Sequence, residues 1–454
     1  MTFAELVEKY NVPAPRYTSY PTVPFWENEN LAQDQWLETV HRSFVESNPS
    51  KGISLYFHLP FCESLCTYCG CNKRITKNHS VEGEYIDALL AEWDIYLQSF
   101  GQTPNIREIH LGGGTPSFFS PENLDRLLSG VLGKSSISPT FEFGFEGHPN
   151  NVTKAHLETL FKLGFKRMSL GVQDFDEKVQ KAINRIQPFE NVKRATTMAR
   201  ETGFNSLNFD LIYGLPFQTL EIINTTIDRV GELMPDRIAF YSYAHVPWKA
   251  PSQRGYSEAD LPESAVKRML YETGKRRLLD LGYQDVGMDH FALPDDSLFK
   301  AKANKTLHRN FMGYTPYPTD LLLGLGCSSI SDSKYAYAQN LKVVEDYKDK
   351  VLAQELAVFK GHLMTNEDLR FKQVILDLSC RGEVFLDQEL RSQMDDASFE
   401  ELKEMEMEGL LTLAGDQLKV TETGFAFVRN ICMVFDMRLH RNQEAREKMF
   451  SKSI

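Results

Sequence analysis

No stretch of this chain approaches the ~20 uninterrupted apolar residues that a membrane-spanning helix needs, so no membrane span is expected. The opening segment, MTFAELVEKYNVPAPRYTSYP, has early acidic residues and lacks a continuous apolar run, unlike a signal or transit peptide. Positive charge is also short. Fifty Lys plus Arg stand against 62 Asp plus Glu, a formal charge of −12, without the basic footprint of a nucleic-acid binder. Repeat arrays and low-complexity tracts are absent. The remainder is ordinary for a globular protein: 454 residues, 42% hydrophobic and 25% charged. At ~150 residues per domain that length suits two or three units. A large soluble cytoplasmic protein with no nucleic-acid partner is expected.

Cysteine is scarce but concentrated. Four of the seven fall in one short run, Cys62, Cys66, Cys69 and Cys71. A long chain without a secretory signal is not read as disulfide-stapled, so the clustering suggests a metal or a cluster. The spacing is C-x3-C-x2-C, with one further cysteine after a single glycine. Three thiolates on a short loop can hold three irons of a cubane and leave the fourth open to a substrate or cofactor. Structural zinc is a rival, but it prefers separated ligand pairs on two elements, and Cys327, Cys380 and Cys432 are isolated. Unligated core cysteines are the third reading.

From Ile53 a unit repeats: a short apolar run, a polar loop, an amphipathic helix. The strand candidates are Ile53–His58, Glu108–Leu111, Phe141–Glu146, Met168–Val172, Leu207–Ile212 and Ile238–Tyr243. Tyr85, Leu89, Leu90, Trp93 and Leu97 mark one helical stripe, and Leu157, Leu160, Phe161 and Gly164 another. Alternation of this kind implies a parallel α/β sheet with right-handed crossovers, here a partial (β/α)6 TIM-like barrel over 51–290. Polar and glycine residues gather just after the strands, where barrel enzymes keep their chemistry. The first fifty residues read as an irregular N-terminal extension, and 291–359 as a connecting segment that completes the active site. From 360 to 454 the pattern is helices followed by a small hairpin, a mostly helical, winged-helix-like C-terminal domain that packs on the barrel.

The cysteine loop at the end of a first barrel strand resembles the signature of the radical S-adenosylmethionine (SAM) enzymes. Gly112-Gly113-Gly114-Thr115-Pro116, after the second strand, is similar to their methionyl-binding turn, where glycines let backbone amides approach closely. Further motifs resemble one branch, the oxygen-independent coproporphyrinogen III oxidases: Pro15-Arg16-Tyr17-Thr18-Ser19-Tyr20-Pro21-Thr22, Cys69-Gly70-Cys71-Asn72-Lys73, Gly171-Val172-Gln173-Asp174-Phe175, Asp210-Leu211-Ile212-Tyr213-Gly214-Leu215-Pro216, Gly287-Met288-Asp289-His290-Phe291-Ala292 and His308-Arg309-Asn310-Phe311-Met312-Gly313-Tyr314. The haem-chaperone relatives share the cysteine loop and barrel. They lack the cysteine at Cys71 and the long Arg-Tyr-Thr-Ser-Tyr segment; a chaperone that binds haem without decarboxylation is the alternative function.

The resemblance implies conversion of the ring A and B propionates of coproporphyrinogen III to vinyl groups, giving protoporphyrinogen IX, by a 5′-deoxyadenosyl radical. It implies a 4Fe–4S cluster on Cys62, Cys66 and Cys69, two S-adenosylmethionine molecules, and a catalytic role for Cys71. Cofactor contacts carry over to Tyr56, Tyr68, Gly113, Gly114, Thr115, Glu146, Gln173, Arg185, Asp210, Ala244 and Ile330. A monomer served by an electron donor such as a flavodoxin or ferredoxin is expected. Lys73, Arg74 and Arg309 are candidate propionate cations. Bland readings stand beside these. Asp210 and Gln173 suit strand-end turns, Arg185 a solvated helix start, and Tyr56 a core strand, while His58 and His290 are read as structural. Two departures stand out: Glu146-Gly147-His148-Pro149 replaces Glu-x-Asp-Pro, and Asn184-Arg185-Ile186-Gln187 lacks a glutamate.

Overall fold

The computed structural model describes residues 1–27, 31–247, 251–442 and 450. All six expected strands form: β1 Ile53–Leu59, β2 Asn105–Gly113, β3 Ser136–Gly147, β4 Phe165–Gln173, β5 Ser206–Tyr213 and β6 Arg237–Ser242. They pair in parallel in chain order. Residues of β1 are buried at every position, as a parallel strand covered on both faces should be. The helix predicted from the Tyr85–Leu97 stripe spans Val81–Phe100 and buries Tyr85, Leu89 and Trp93 against the outside of the sheet.

The sheet continues beyond the expected six strands to twelve. A seventh parallel strand, Leu322–Leu325, lies on the other side of β1, with Ser54 opposite Leu322 and Phe57 opposite Leu325. Antiparallel strands Ile330–Asp332, Ala336–Asn340 and Val358–Leu363 extend that edge. At the far edge His290–Ala292 pairs antiparallel with β6, and Gln284–Gly287 pairs with it in turn.

The first fifty residues are only partly irregular: the proline- and aromatic-rich run at residues 11–22 has no helix or strand, as expected, but two helices flank it. Helix α1, Phe3–Tyr10, starts with a Thr2–Glu5 capping box, and α2, Gln33–Ser47, buries Trp36, Val40 and Phe44. That spacing of four is one face of a helix. The C-terminal domain has its hairpin, Leu411–Ala414 with Gln417–Val420, but a third strand, Glu383–Phe385, joins it. Leu6, Tyr10, Tyr17 and Tyr20 share one core with Phe371, Leu378, Leu402, Phe427 and Ile431. The first twenty residues and the C-terminal domain are therefore one packing unit, while Trp36, Val40 and Phe44 of α2 belong to the barrel core.

A buried carboxyl ties the seventh strand to the barrel. Glu92, on the Val81–Phe100 helix, accepts from the Gly326 N–H at 2.8 Å, Asn340 Nδ2 at 2.7 Å and the Tyr347 hydroxyl at 2.7 Å. Burial pushes it from 4.5 up to about 7 against those three bonds. Because the folded value is raised, its contribution to stability is complete below 4.5 and is lost as pH rises through about 7. Glu92→Gln keeps the shape without the charge. The melting temperature of this variant relative to wild type should climb as pH goes from about 5 to about 8; a constant difference would show that the carboxyl does not titrate there.

Candidate active site

Apart from a two-residue parallel pairing of Phe61–Cys62 with Arg74–Ile75, the cysteine loop that leaves β1 is irregular, so its backbone groups need partners elsewhere. His58 supplies one: its Nε2–H donates to the Asn72 carbonyl at 2.9 Å while Nδ1 accepts from the Tyr56 hydroxyl at 3.2 Å. The Arg74 N–H reaches the Pro60 carbonyl at 2.8 Å and the Thr76 N–H reaches the Cys62 carbonyl at 2.9 Å. From the far side of the barrel Asn184 Nδ2 donates to the Leu65 carbonyl at 2.8 Å, and the Thr67 N–H to the Ile183 carbonyl at 3.0 Å. Lys73 Nζ folds back onto the Cys69 carbonyl at 3.0 Å. The glycine turn lies against the same loop. The Gly114 N–H donates to the Leu59 carbonyl at 2.8 Å, and a Cβ on Gly114 would sit 2.6 Å from the Pro60 backbone. Only glycine fits there.

A cavity of about 580 Å³ opens over this loop at the carboxyl ends of the strands, within the usual range of small-molecule sites. Cys62, Cys66, Cys69 and Cys71 all line it, and none is in a disulfide. Cys62 Sγ is 3.2 Å from Thr115 Oγ1, and Cys66 Sγ is 3.5 Å from Arg185 Nη1. The hydrogen bond from the Cys71 thiol draws Cys69 down to about 6, against burial and with help from Lys73. A thiolate is the metal-binding form, so the donor set fits a cluster on three cysteines.

The opposite wall is polar. Burial raises the Glu146 carboxyl, but the bond from His110 Nε2, at 3.2 Å, overcomes that and holds it below its ordinary value. Arg167 Nη2 donates to His110 Nδ1 at 3.1 Å, which fixes the proton of His110 on the nitrogen facing Glu146. Asp210 accepts from Ser169 Oγ and Asn208 Nδ2, each at 2.9 Å. Burial, then the charge of Glu146, pushes Asp210 up to about 6. At the end of β4 the register shifts, and Gln173 adopts a φ of 67°. Non-glycine residues seldom take that conformation, and bulges of this kind re-aim a side chain. The Gly171 carbonyl in the bulge accepts from Arg185 Nε at 3.0 Å and Nη2 at 2.7 Å, which fixes Arg185 beside the cysteines. A carboxylate, a second carboxyl, an amide and a guanidinium thus face the cavity. That set matches the amine, carboxylate and ribose hydroxyls of S-adenosylmethionine.

Residues 56–230 match the model of the radical SAM superfamily. Over nearly its whole length the chain is 37% identical to oxygen-independent coproporphyrinogen III oxidases of Escherichia coli, covering 99% of this chain and 98% of that one, and of Pseudomonas aeruginosa, covering 96% of each. The solved structure of the Escherichia coli coproporphyrinogen III oxidase, described as a radical SAM enzyme, superimposes with a TM-score of 0.87 at 36% identity, covering 96% of this chain and 99% of that one. The chain belongs to this oxidase family.

Most of the expected family positions lie together. Tyr68, Gly113, Gly114, Thr115, Glu146, Gln173, Arg185 and Asp210 line the cavity with the four cysteines. Tyr56, Ala244 and Ile330 are not among the lining residues. Tyr56 stacks on His110 and lies edge-on to Phe311, one layer behind the wall. Ala244 meets the cysteine loop through Gln253, whose Nε2 donates to the Ala244 carbonyl at 3.1 Å and the Tyr68 carbonyl at 3.4 Å. Ile330 borders a separate small cavity with Thr18, Phe311 and Tyr337. Of the candidate cations, Lys73 lines the main cavity, whereas Arg74 pairs with Glu345 at 3.1 Å. Sequence reasoning missed His110, Arg167, Asn208, Tyr241 and Arg237. Their one signal was polar residues at inward-facing positions of otherwise apolar strands. His148 lines the cavity beside Arg185; burial, then Arg185, holds it near 3, so its imidazole is neutral.

Asp210→Ala removes a charged acceptor from this wall, a change worth ~1.5–3 kcal/mol. Affinity for S-adenosylmethionine should fall about tenfold or more while the cluster absorbance stays intact. Unchanged binding would assign Asp210 to holding Ser169 and Asn208 alone.

Proposed function

We propose that the chain carries out the oxygen-independent oxidative decarboxylation of the ring A and ring B propionates of coproporphyrinogen III to vinyl groups, giving protoporphyrinogen IX. The observation that carries this reading is three thiols on one loop facing a large polar cavity in a chain similar to coproporphyrinogen III oxidases from end to end. Each propionate loses one hydrogen atom and carbon dioxide, and passes one electron to an acceptor. Bound together, the 4Fe–4S cluster and S-adenosylmethionine supply the one-electron cleavage and hydrogen abstraction that no side chain can perform.

In this reading the protein's part is to bind, orient and exclude water. Cys62, Cys66 and Cys69 hold three irons, and the Lys73 and Arg185 cations offset the charge of the thiolates. Gly113, Gly114 and Thr115 offer backbone groups to the methionyl end of the cofactor. Glu146, kept ionised by the Nε2–H of His110, takes a donor such as its amine; Asp210, Gln173 and Arg185 take the remaining polar groups. Tyr68 supplies contact surface for the cofactor molecules from the cavity wall, Tyr56 backs that wall through His110, and Ala244 steadies the cysteine loop through Gln253. Cys71 keeps its proton: the hydrogen bond to Cys69 pushes it well above the usual thiol value. A polarizable S–H one glycine past the last ligand can then assist hydrogen or electron transfer at the substrate. No described helix is long and apolar enough to cross a membrane. The reading completes with a monomer in the cytoplasm, reduced by a carrier such as a flavodoxin or ferredoxin.

An anaerobic assay with coproporphyrinogen III, reductant and S-adenosylmethionine, read by porphyrin fluorescence after oxidation, should give protoporphyrin. Serine at Cys62, Cys66 or Cys69 should abolish the cluster spectrum and cofactor cleavage together; full iron and activity in any one would sink the ligand assignment. Cys71→Ser should keep the iron and lose most protoporphyrinogen formation. Loss of the cluster there would make Cys71 a ligand, and normal product would make it packing.

A further inference from the structure

One polar side chain of the large cavity has no part in the proposed reaction: His148. Strand β3 ends at Gly147, and the turn that follows is tied down on three sides. The His148 N–H donates to Ser117 Oγ at 3.1 Å, just past the Gly113-Gly114-Thr115 turn. The Asn150 N–H donates to His148 Nδ1 at 3.2 Å. Asn150 Nδ2 then donates to the Ile186 carbonyl at 2.9 Å, and Asn191 Nδ2 donates to Asn150 Oδ1 at 2.9 Å. Strand end, glycine turn and the Asn184–Gln187 stretch are therefore locked around one imidazole.

That arrangement fixes the tautomer. Nδ1 is occupied as an acceptor, so the proton of the neutral ring sits on Nε2. The Nε2–H has no hydrogen-bond partner among the described residues. A donor left without a partner in a cavity wall is a place for a ligand acceptor. Arg185 is the charge beside it. Its guanidinium is held by the Gly171 carbonyl and Cys66 Sγ, and among the described residues no carboxylate pairs with it. A neutral N–H and a fixed cation side by side suit a carboxylate.

Two departures from the family motifs meet here. The Glu-x-Asp-Pro pattern places a carboxyl where this chain has His148, and the Asn184–Gln187 stretch lacks a glutamate. An aspartate at position 148 would sit beside Arg185 and offset its charge. Histidine leaves that charge to the ligand and adds a donor of its own.

We propose that His148 Nε2–H donates to the carboxylate of a bound S-adenosylmethionine and thereby sets this chain's affinity for its cofactor. The contact deepens the proposed function and rests on it for the placing of the methionyl end at the glycine turn. A propionate of the tetrapyrrole carries the same chemistry. The methionyl carboxylate is favoured because Ser117 and Arg185 hold the ring at the cysteine-loop end of the cavity.

The experiment measures equilibrium binding to anaerobically reconstituted holoprotein with three probes: S-adenosylmethionine, decarboxylated S-adenosylmethionine, which lacks only that carboxylate, and coproporphyrin III. His148→Asp keeps an acceptor for the Asn150 N–H but puts a negative charge beside the ligand. It should weaken S-adenosylmethionine binding about tenfold and leave the decarboxylated probe no weaker. His148→Gln keeps an N–H at the reach of Nε2 and should bind S-adenosylmethionine nearly as wild type does, whereas His148→Asn, which keeps only the acceptor in place, should not. A purely structural role through the Asn150 N–H predicts the opposite order, with Asp and Asn tolerated and Gln impaired. Cluster absorbance reports whether each variant is folded; should His148→Asp lose it, the order of Gln and Asn decides alone. Equal weakening of both adenosyl probes would overturn the carboxylate contact, as would unchanged affinity in all three variants. Weaker coproporphyrin III binding with unchanged S-adenosylmethionine binding would overturn the cofactor assignment in favour of the substrate. None of these measurements requires turnover. His148-dependent cofactor affinity without protoporphyrinogen formation would remove the proposed reaction and keep the contact; normal turnover with His148-independent affinity would do the reverse.

Discussion

The controlling constraint in this molecule is that a largely irregular loop bearing four free thiols must be held still with little regular structure around it. A helix or strand satisfies its own backbone, whereas a loop of this kind has to borrow partners. Here the partners come from every side: His58 and the glycine turn below, Asn184 and the Ile183 carbonyl across the barrel, and Gln253 behind. The strands, the bulge and the seventh-strand closure can all be understood as the frame that brings those donors and acceptors to one place. Position is what such a frame contributes, since the hard chemistry belongs to the cofactors.

Much of this was legible in the sequence because the informative residues are local. Cysteine spacing survives without knowledge of the fold, and six β/α units announce themselves through apolar runs and helical stripes. The failures share a cause. The Leu322–Leu325 strand is only four residues long and gains its identity from pairing with Ser54–Phe57, far away in the chain. Helix α2 was hidden by the prolines and aromatics around it, although Trp36, Val40 and Phe44 carry the right spacing. His110 sits between Ile109 and Leu111 in β2 and Arg167 follows Lys166 in β4, and a polar residue in a strand does not say whether it faces solvent or a cavity. Ile330 and Ala244 are further cases: a motif match gives a position in the chain, while the cavity wall is decided by the fold around it.

The site also shows how a protein of net charge −12 can be built for anionic ligands. Its cations are concentrated, and those nearest the chemistry are held rather than free. Arg185 is clamped by the Gly171 carbonyl and Arg167 is committed to His110 and Glu142. Preorganised charge of this kind loses little freedom when a ligand arrives, which is where clustered arginines surpass a diffuse positive surface. The histidines follow the opposite logic. His290, held near 3 by burial and then by Arg309 and Arg237, stays neutral and adds no charge to the wall.

The shared core of the extension and the C-terminal domain has a consequence for biosynthesis. Tyr17 and Tyr20 are made about four hundred residues before the surfaces that bury them, around Phe427 and Ile431. The barrel between them can close while this segment still trails in solvent with its aromatic side chains uncovered, because its own core is complete within the middle of the chain. Folding of this core then waits for the later segment, so a chain that stalls before Phe427 would carry a formed cysteine loop with Tyr17 and Tyr20 still uncovered.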